Sequence, residues 1–131
     1  MSLMEWADER YGTNVDLCDT QHKELFDLVN ALNDAVLSRD RSMIGKRLDG
    51  LVDFVVKHFE TEERLMQERG YSGLEHHKQE HDLLVRTCTD IQDKFHTGEM
   101  DIEDATMKYI KNWLDHHIPV IDKLYGPALS N

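Results

Sequence analysis

Leu48-Asp49-Gly50-Leu51-Val52-Asp53-Phe54-Val55-Val56-Lys57-His58-Phe59-Glu60-Thr61-Glu62-Glu63-Arg64-Leu65-Met66 places apolar side chains at 48, 51, 52, 55, 59, 65 and 66. That three-to-four-residue spacing is the period of a helix with one buried stripe. His58 and Glu62 fall inside the stripe, one helical turn apart. The segment predicts a helix over roughly 41–69, and three others repeat the pattern. Residues 19–38 carry Leu25, Phe26, Val29, Leu32 and Val36 in a stripe that begins with His22. Residues up to about 97 carry Leu74, His77, His81, Leu84, Cys88, Ile91 and Phe95. From about 101 onward, Ile102, Met107, Ile110, Leu114, His117 and Ile121 face inward.

The ends of these segments have their own signals. Gly70 and Gly98 are helix stops. Ser72-Gly73-Leu74-Glu75 reads as a capping box, and Asp101 as the N-cap of the last helix. Pro119 lacks an N–H and interrupts the hydrogen-bond ladder near the chain end. Connections near 40, 71 and 98–99 are short, so each helix must return beside its predecessor. The expectation is an all-α, antiparallel up-down-up-down four-helix bundle over 19–125. Residues 1–18, with Trp6 and Tyr11 and no clear period, read as an N-terminal arm packed on it, and 1–131 as a single domain.

Composition agrees and narrows the function. Apolar residues make up 40% and charged residues 31% of the 131, with only two Pro and seven Gly to build sheet turns. A net charge of −11 repels phosphate backbones and anionic membrane surfaces. No apolar run approaches a membrane span or a signal peptide, which points to the cytoplasm. Cys18 and Cys88 form no CxxC pair, so neither a zinc ribbon nor a c-type haem site is expected.

Eight histidines remain to be explained. Any one His on an apolar stripe is more often a packed core residue than a ligand. Depth changes the weighing, because residues equally far from an antiparallel turn lie at one level. His22 and His58 stand about 18 residues either side of position 40. His58 and Glu62 bracket the level of His81 across the turn at 71, and His81 and His117 stand about 18 either side of 98–99. All four helices thus deliver imidazole to one layer, a coincidence that core packing alone does not produce. His58 and Glu62, like His77 and His81, share a helix face. His117 and Asp122 are five apart, about 140° out of phase on a regular helix, and a widened turn at Pro119 would bring Asp122 back inward.

Metal ligation gives these buried groups a reason to converge. Five imidazole nitrogens, four oxygens from Glu62 and Asp122 bridging two ions, and two bonds to a solvent-derived oxo or hydroxo bridge fill eleven of twelve octahedral positions. A nitrogen-rich pair with one open position suits two irons that take a small diatomic ligand, whereas zinc would want four ligands per ion. His76 and His116 each sit about 100° from a ligand position and His96 lies in a last helical turn, where positive charge is favourable. Cys88 reads as an apolar filler, and Glu60, Glu63 and Glu68 as a solvated face.

The pattern His22, His58-x3-Glu62, His77-x3-His81, His117-x4-Asp122 resembles the hemerythrin family, in particular its single-domain bacterial members, over the whole chain. The resemblance implies that His77, His81 and His117 hold one iron and His22 and His58 the other, with Glu62, Asp122 and the oxo or hydroxo group joining them. It implies reversible dioxygen binding at the iron held by two His, for carriage, storage or delivery to an oxygen-consuming enzyme, and no catalysis. Reversibility requires dry, apolar walls, for which Leu25, Phe26, Phe59, Trp113, Leu114 and Ile118 are at the right depth.

Two other functions compete. A sensor module would pass oxygen or redox state to a partner. A peroxidase or nitric oxide-reducing enzyme would use the same centre for turnover. The Glu-x-x-His pairs of ferritin-like di-iron enzymes are absent, as is the zinc-protease motif HExxH, since Lys78 follows His77.

Overall fold

The computed structural model describes residues 2–130; positions 1 and 131, the outermost of the expected single domain and arm, lie outside the described residues. Described residues are helical or irregular throughout. A short helix α1 (Asp8–Tyr11) precedes four long elements, α2 (Asp16–Ser38), α3 (Arg41–Glu68), α4 (Leu74–Thr97) and α5 (Asp104–His116). The chain ends in a π-helical turn (His117–Ile121), a 3-10 turn (Asp122–Tyr125) and α6 (Gly126–Leu129). No helix among the described residues is long and apolar enough to cross a membrane.

The four stripes meet along the bundle axis. Leu25, Val29, Leu32, Leu48, Leu51, Val52, Val55, Leu84, Ile110 and Leu114 are all buried in one cluster. At the other side of the histidine layer a second, smaller cluster of Val15, Cys18, Met66, Tyr125 and Leu129 closes that end. The polar layer therefore sits between two apolar ones.

Several local expectations need correction. The first long helix begins at Asp16, not near 19, so the arm is shorter. It begins early because Asp19 reaches back: its Oδ1 accepts from the Thr13 N–H at 3.0 Å and the Thr13 hydroxyl at 2.7 Å. The capping box at Ser72 does not form. Gly73 occupies the N-cap without a side-chain bond, and the turn is closed by backbone, Leu74 N–H to Tyr71 O at 3.2 Å and His77 N–H to Gly73 O at 3.0 Å. Asp101 does not cap α5 either; Glu103 holds that position, and Asp101 pairs instead with Arg41 at 2.6 Å. A cap does occur at Asp40, whose carboxylate accepts from Met43 N–H at 3.1 Å.

The glycine stops behave as read. Gly98 takes φ +84° and lets Glu99 N–H bond back to Lys94 O at 2.9 Å, a closure that a side chain would strain. The residues before α2 pack against the bundle. Asn30 clips them by accepting from Met4 N–H and donating to Met4 O, both at 2.8 Å. Tyr11 then donates to Asp115 at 2.6 Å while its ring meets Phe26 edge-on.

Candidate metal centre

Pro119 shapes the end of the site. Its missing N–H breaks the regular ladder, and Asp122 N–H bonds to His117 O five residues back. That one wide turn cancels the phase error of a five-residue spacing. His117 and Asp122 face the same interior, each about 1–2% exposed.

His22 on α2, His58 and Glu62 on α3, and His77 and His81 on α4 meet them there, all at most 1% exposed. The two carboxylates stand between two sets of imidazoles. Glu62 Oε1 lies 3.2 Å from His81 Nε2, whereas Oε2 lies 3.2 Å from His22 Nε2 and 3.3 Å from His58 Nε2. Asp122 Oδ1 lies 2.8 Å from His77 Nε2 and 2.9 Å from His117 Nε2, and its Oδ2 is 3.1 Å from His22 Nε2. The geometry sorts itself into a group of Glu62, His77, His81, His117 and Asp122 and a group of His22, His58 and Glu62, with ligand atoms within 4.8 Å of one another in each.

Of these short approaches, His22 Nε2 to Glu62 Oε2 is aligned as a hydrogen bond. Nε2 of His58, His77, His81 and His117, Glu62 Oε1 and Asp122 Oδ1 are all buried without an aligned partner. Orphaned buried polar atoms cost about 1–3 kcal/mol each, and here six converge on a common interior. Lone pairs directed at shared points rather than at each other fit metal ions, and imidazole with carboxylate suits a first-row divalent metal.

Electrostatics add a consequence for the metal-free protein. Burial alone would lower the His22 pKa, but Asp122 and Glu62 outweigh it and push it up to about 10. His81, opposed by burial and supported by Glu62 and Glu63, rises to about 9. Burial would raise Glu62 and Asp122, yet the surrounding imidazoles hold both well below the usual carboxylate range. A raised His pKa gives stability that is complete below about 6.5 and lost as pH passes the folded value. Metal-stripped protein should therefore melt at progressively lower temperature as pH rises from 7 to 10, measured by circular dichroism. The same protons compete with metal, so uptake should release protons and strengthen over that range. A flat melting profile would contradict both.

Behind the imidazoles lies a ring of partners that the sequence reading missed. With Nε2 turned inward, Nδ1 carries the proton and donates outward. His58 Nδ1 meets Gln21 Oε1 at 2.6 Å, His81 Nδ1 meets Glu63 Oε2 at 2.8 Å, and His117 Nδ1 meets Glu80 Oε1 at 3.2 Å. Tyr125 donates its hydroxyl to Glu62 Oε2 at 2.5 Å. Glu63 thus leaves the solvated face assigned to it, whereas Glu60 and Glu68 are exposed as expected. A signal was present: Gln21, Glu63 and Glu80 lie within about two positions of the same distance from their turns as the histidines they support. His76 and His116 are exposed, and His96 pairs with Asp49 at 2.7 Å.

One turn along each helix from a ligand position, Leu25, Val55, Leu84 and Leu114 form the next layer, all buried. They begin an apolar cavity of about 30 Å³ that runs on past Val29, Val52, Cys88 and Ile110 and is also lined by Trp113. Cys88 is the filler expected of it. Its thiol and that of Cys18 are free and pushed up by burial to about 11 and about 12 respectively, so both stay protonated. The Phe59 ring lies flat on His81 with centroids 3.6 Å apart, and Trp113 stacks on His117 at 4.2 Å. Ile118 is 1% exposed. Phe26 packs among Tyr11 and Trp6 of the arm, at 4.8 and 5.6 Å, and does not line the cavity.

Known proteins resemble this chain. Residues 13–129 match the family described as hemerythrin HHE cation binding domain. A bacteriohemerythrin of Methylococcus capsulatus is 51% identical over 130 residues, covering 99% of both chains. One from Stenotrophomonas maltophilia is 33% identical over 99% of this chain and 84% of its own. A crystal structure of wild-type hemerythrin superposes with a TM-score of 0.97 at 50% identity, covering 98% of this chain and 99% of that one. A match across nearly the full length, on a chain whose buried donors already divide into two groups, leaves one assignment: this chain belongs to the hemerythrin family.

Proposed function

We propose that the chain binds dioxygen reversibly at a pair of non-haem irons, for carriage, storage or delivery to an oxygen-consuming enzyme. The observation that carries the proposal is the six buried, unpartnered donor atoms converging inside an apolar bundle. In this reading His77, His81 and His117 hold one iron, His22 and His58 the other, and Glu62 and Asp122 bridge them, which the two-sided approach of each carboxylate supports. A solvent-derived oxo or hydroxo group completes the bridge. When bound, the iron pair would supply the two electrons that hold oxygen and would take them back on release.

The protein's own part is restraint. Gln21, Glu63 and Glu80 fix three imidazoles by their outer nitrogens, and Tyr125 fixes Glu62, so the ligands move little between states. Leu25, Phe59, Trp113, Leu114 and Ile118 keep water and proton donors from the bound gas.

Reconstitution with ferrous iron under nitrogen, iron analysis, exposure to oxygen and purging tests this. Two irons per chain and a visible band that rises with oxygen and fades on purging are expected. Irreversible bleaching with rapid turnover of peroxide or nitric oxide would assign the centre to an enzyme instead.

A further inference from the structure

The two halves of the centre are supported by different chemistry. On the three-imidazole side, two outer nitrogens donate to carboxylates, His81 to Glu63 and His117 to Glu80. On the two-imidazole side, His58 donates to Gln21, a neutral amide, and His22 Nδ1 is buried with no hydrogen-bond partner among the described residues. An imidazole whose N–H rests on an anion is a stronger donor from its other nitrogen than one resting on an amide, and outer partners of this kind change metal affinity by about 10–100-fold. Both carboxylates are three-quarters buried or so, with side-chain exposures of 21% and 28%, so solvent screens them only in part.

We infer that Glu63 and Glu80 on one side and Gln21 on the other are positioning residues that make the two metal positions unequal, so that the His77/His81/His117 position fills first and holds its metal while the His22/His58 position fills last and gives it up first. The inequality exceeds what three imidazoles against two would produce, and it lies in the outer ring. It rests on the dinuclear reading above. Its consequence is a centre whose weakly held ion is the one with the open position, so loss of function in metal-poor conditions begins by emptying half of the site.

Titration of the metal-free protein with cobalt(II) alone, under nitrogen at fixed pH, reads both steps by visible absorption and calorimetry. The wild-type chain should bind two ions in resolved steps. Glu63→Gln and Glu80→Gln, which keep an acceptor but remove its charge, should each weaken the first step about tenfold and spare the second. Gln21→Glu, which adds the charge on the other side, should strengthen the second step and narrow the gap. A purely structural role would move both steps together, so a parallel shift in all three variants overturns the inference, as does a Gln21→Glu chain with an unchanged second step. Saturation at a single ion in the wild-type chain would instead overturn the dinuclear reading itself.

Discussion

His77→Ala should empty the centre and unfold the protein at a temperature roughly 10–15 °C lower, two effects from one cause. His77 Nε2 stands 2.8 Å from Asp122 Oδ1 at the middle of the layer, and both atoms lack an aligned partner. Removing that imidazole takes one nitrogen from the better-supplied half and frees Asp122 to turn. A preformed site binds metal only in the folded state, so binding energy is folding energy. At a thousandfold excess over the dissociation constant the contribution is about 4 kcal/mol, and for a chain of this size that corresponds to the stated fall in melting temperature.

Iron per chain by elemental analysis and a thermal melt on the same sample check this. His116→Ala is the control, an exposed imidazole directly before His117, and it is expected to keep its metal and its melting temperature. Metal-stripped wild-type protein should melt near the His77→Ala variant. A variant that retained two irons would remove His77 from the ligand set.

Much of this site was readable from residue numbers because an antiparallel bundle turns sequence distance into depth. His22, His58, His81 and His117 could be placed at one level without coordinates, since a rise of about 1.5 Å per residue forgives errors of a few positions in the turns. Asp122 was readable for a different reason: proline at 119 is a chemical defect in the helix, and the defect has one geometric outcome that serves a ligand. What was not readable depends on rotation rather than depth. Glu63 follows Glu62 by about 100° around the helix, which points it either to water or to the outer nitrogen of His81, according to how closely α3 and α4 approach. Ser72 and Asp101 failed as caps for a similar reason. Each had a competing backbone turn or an Arg41 partner that only the folded neighbours supply.

Phe59→Ala should cost about 3–5 kcal/mol of stability, the usual toll for deleting a buried aromatic ring, and should also shorten the life of the oxygen complex. The ring is 4% exposed, lies flat on His81 at 3.6 Å, and contacts the Trp113 ring at 6.0 Å. It therefore does two things. It fills the core, and it covers one face of the His81 imidazole beside the surface recess that both rings line together with Val56, Glu60, Lys78 and Asp82. Without it, water has a path from that recess to the ligand layer, and water is what converts a reversibly held oxygen into an oxidised centre. The chemical denaturation midpoint reports the first role, and the rate at which the oxygenated form decays to the ferric state reports the second. Phe59→Leu separates them, because leucine restores most of the buried apolar volume but leaves the flat face of His81 partly bare. It should recover most of the stability while retaining a faster decay. If both variants lost stability and decayed at the wild-type rate, Phe59 would be core packing alone, and the dryness of the site would have to come from the layer of Leu25, Val55, Leu84 and Leu114.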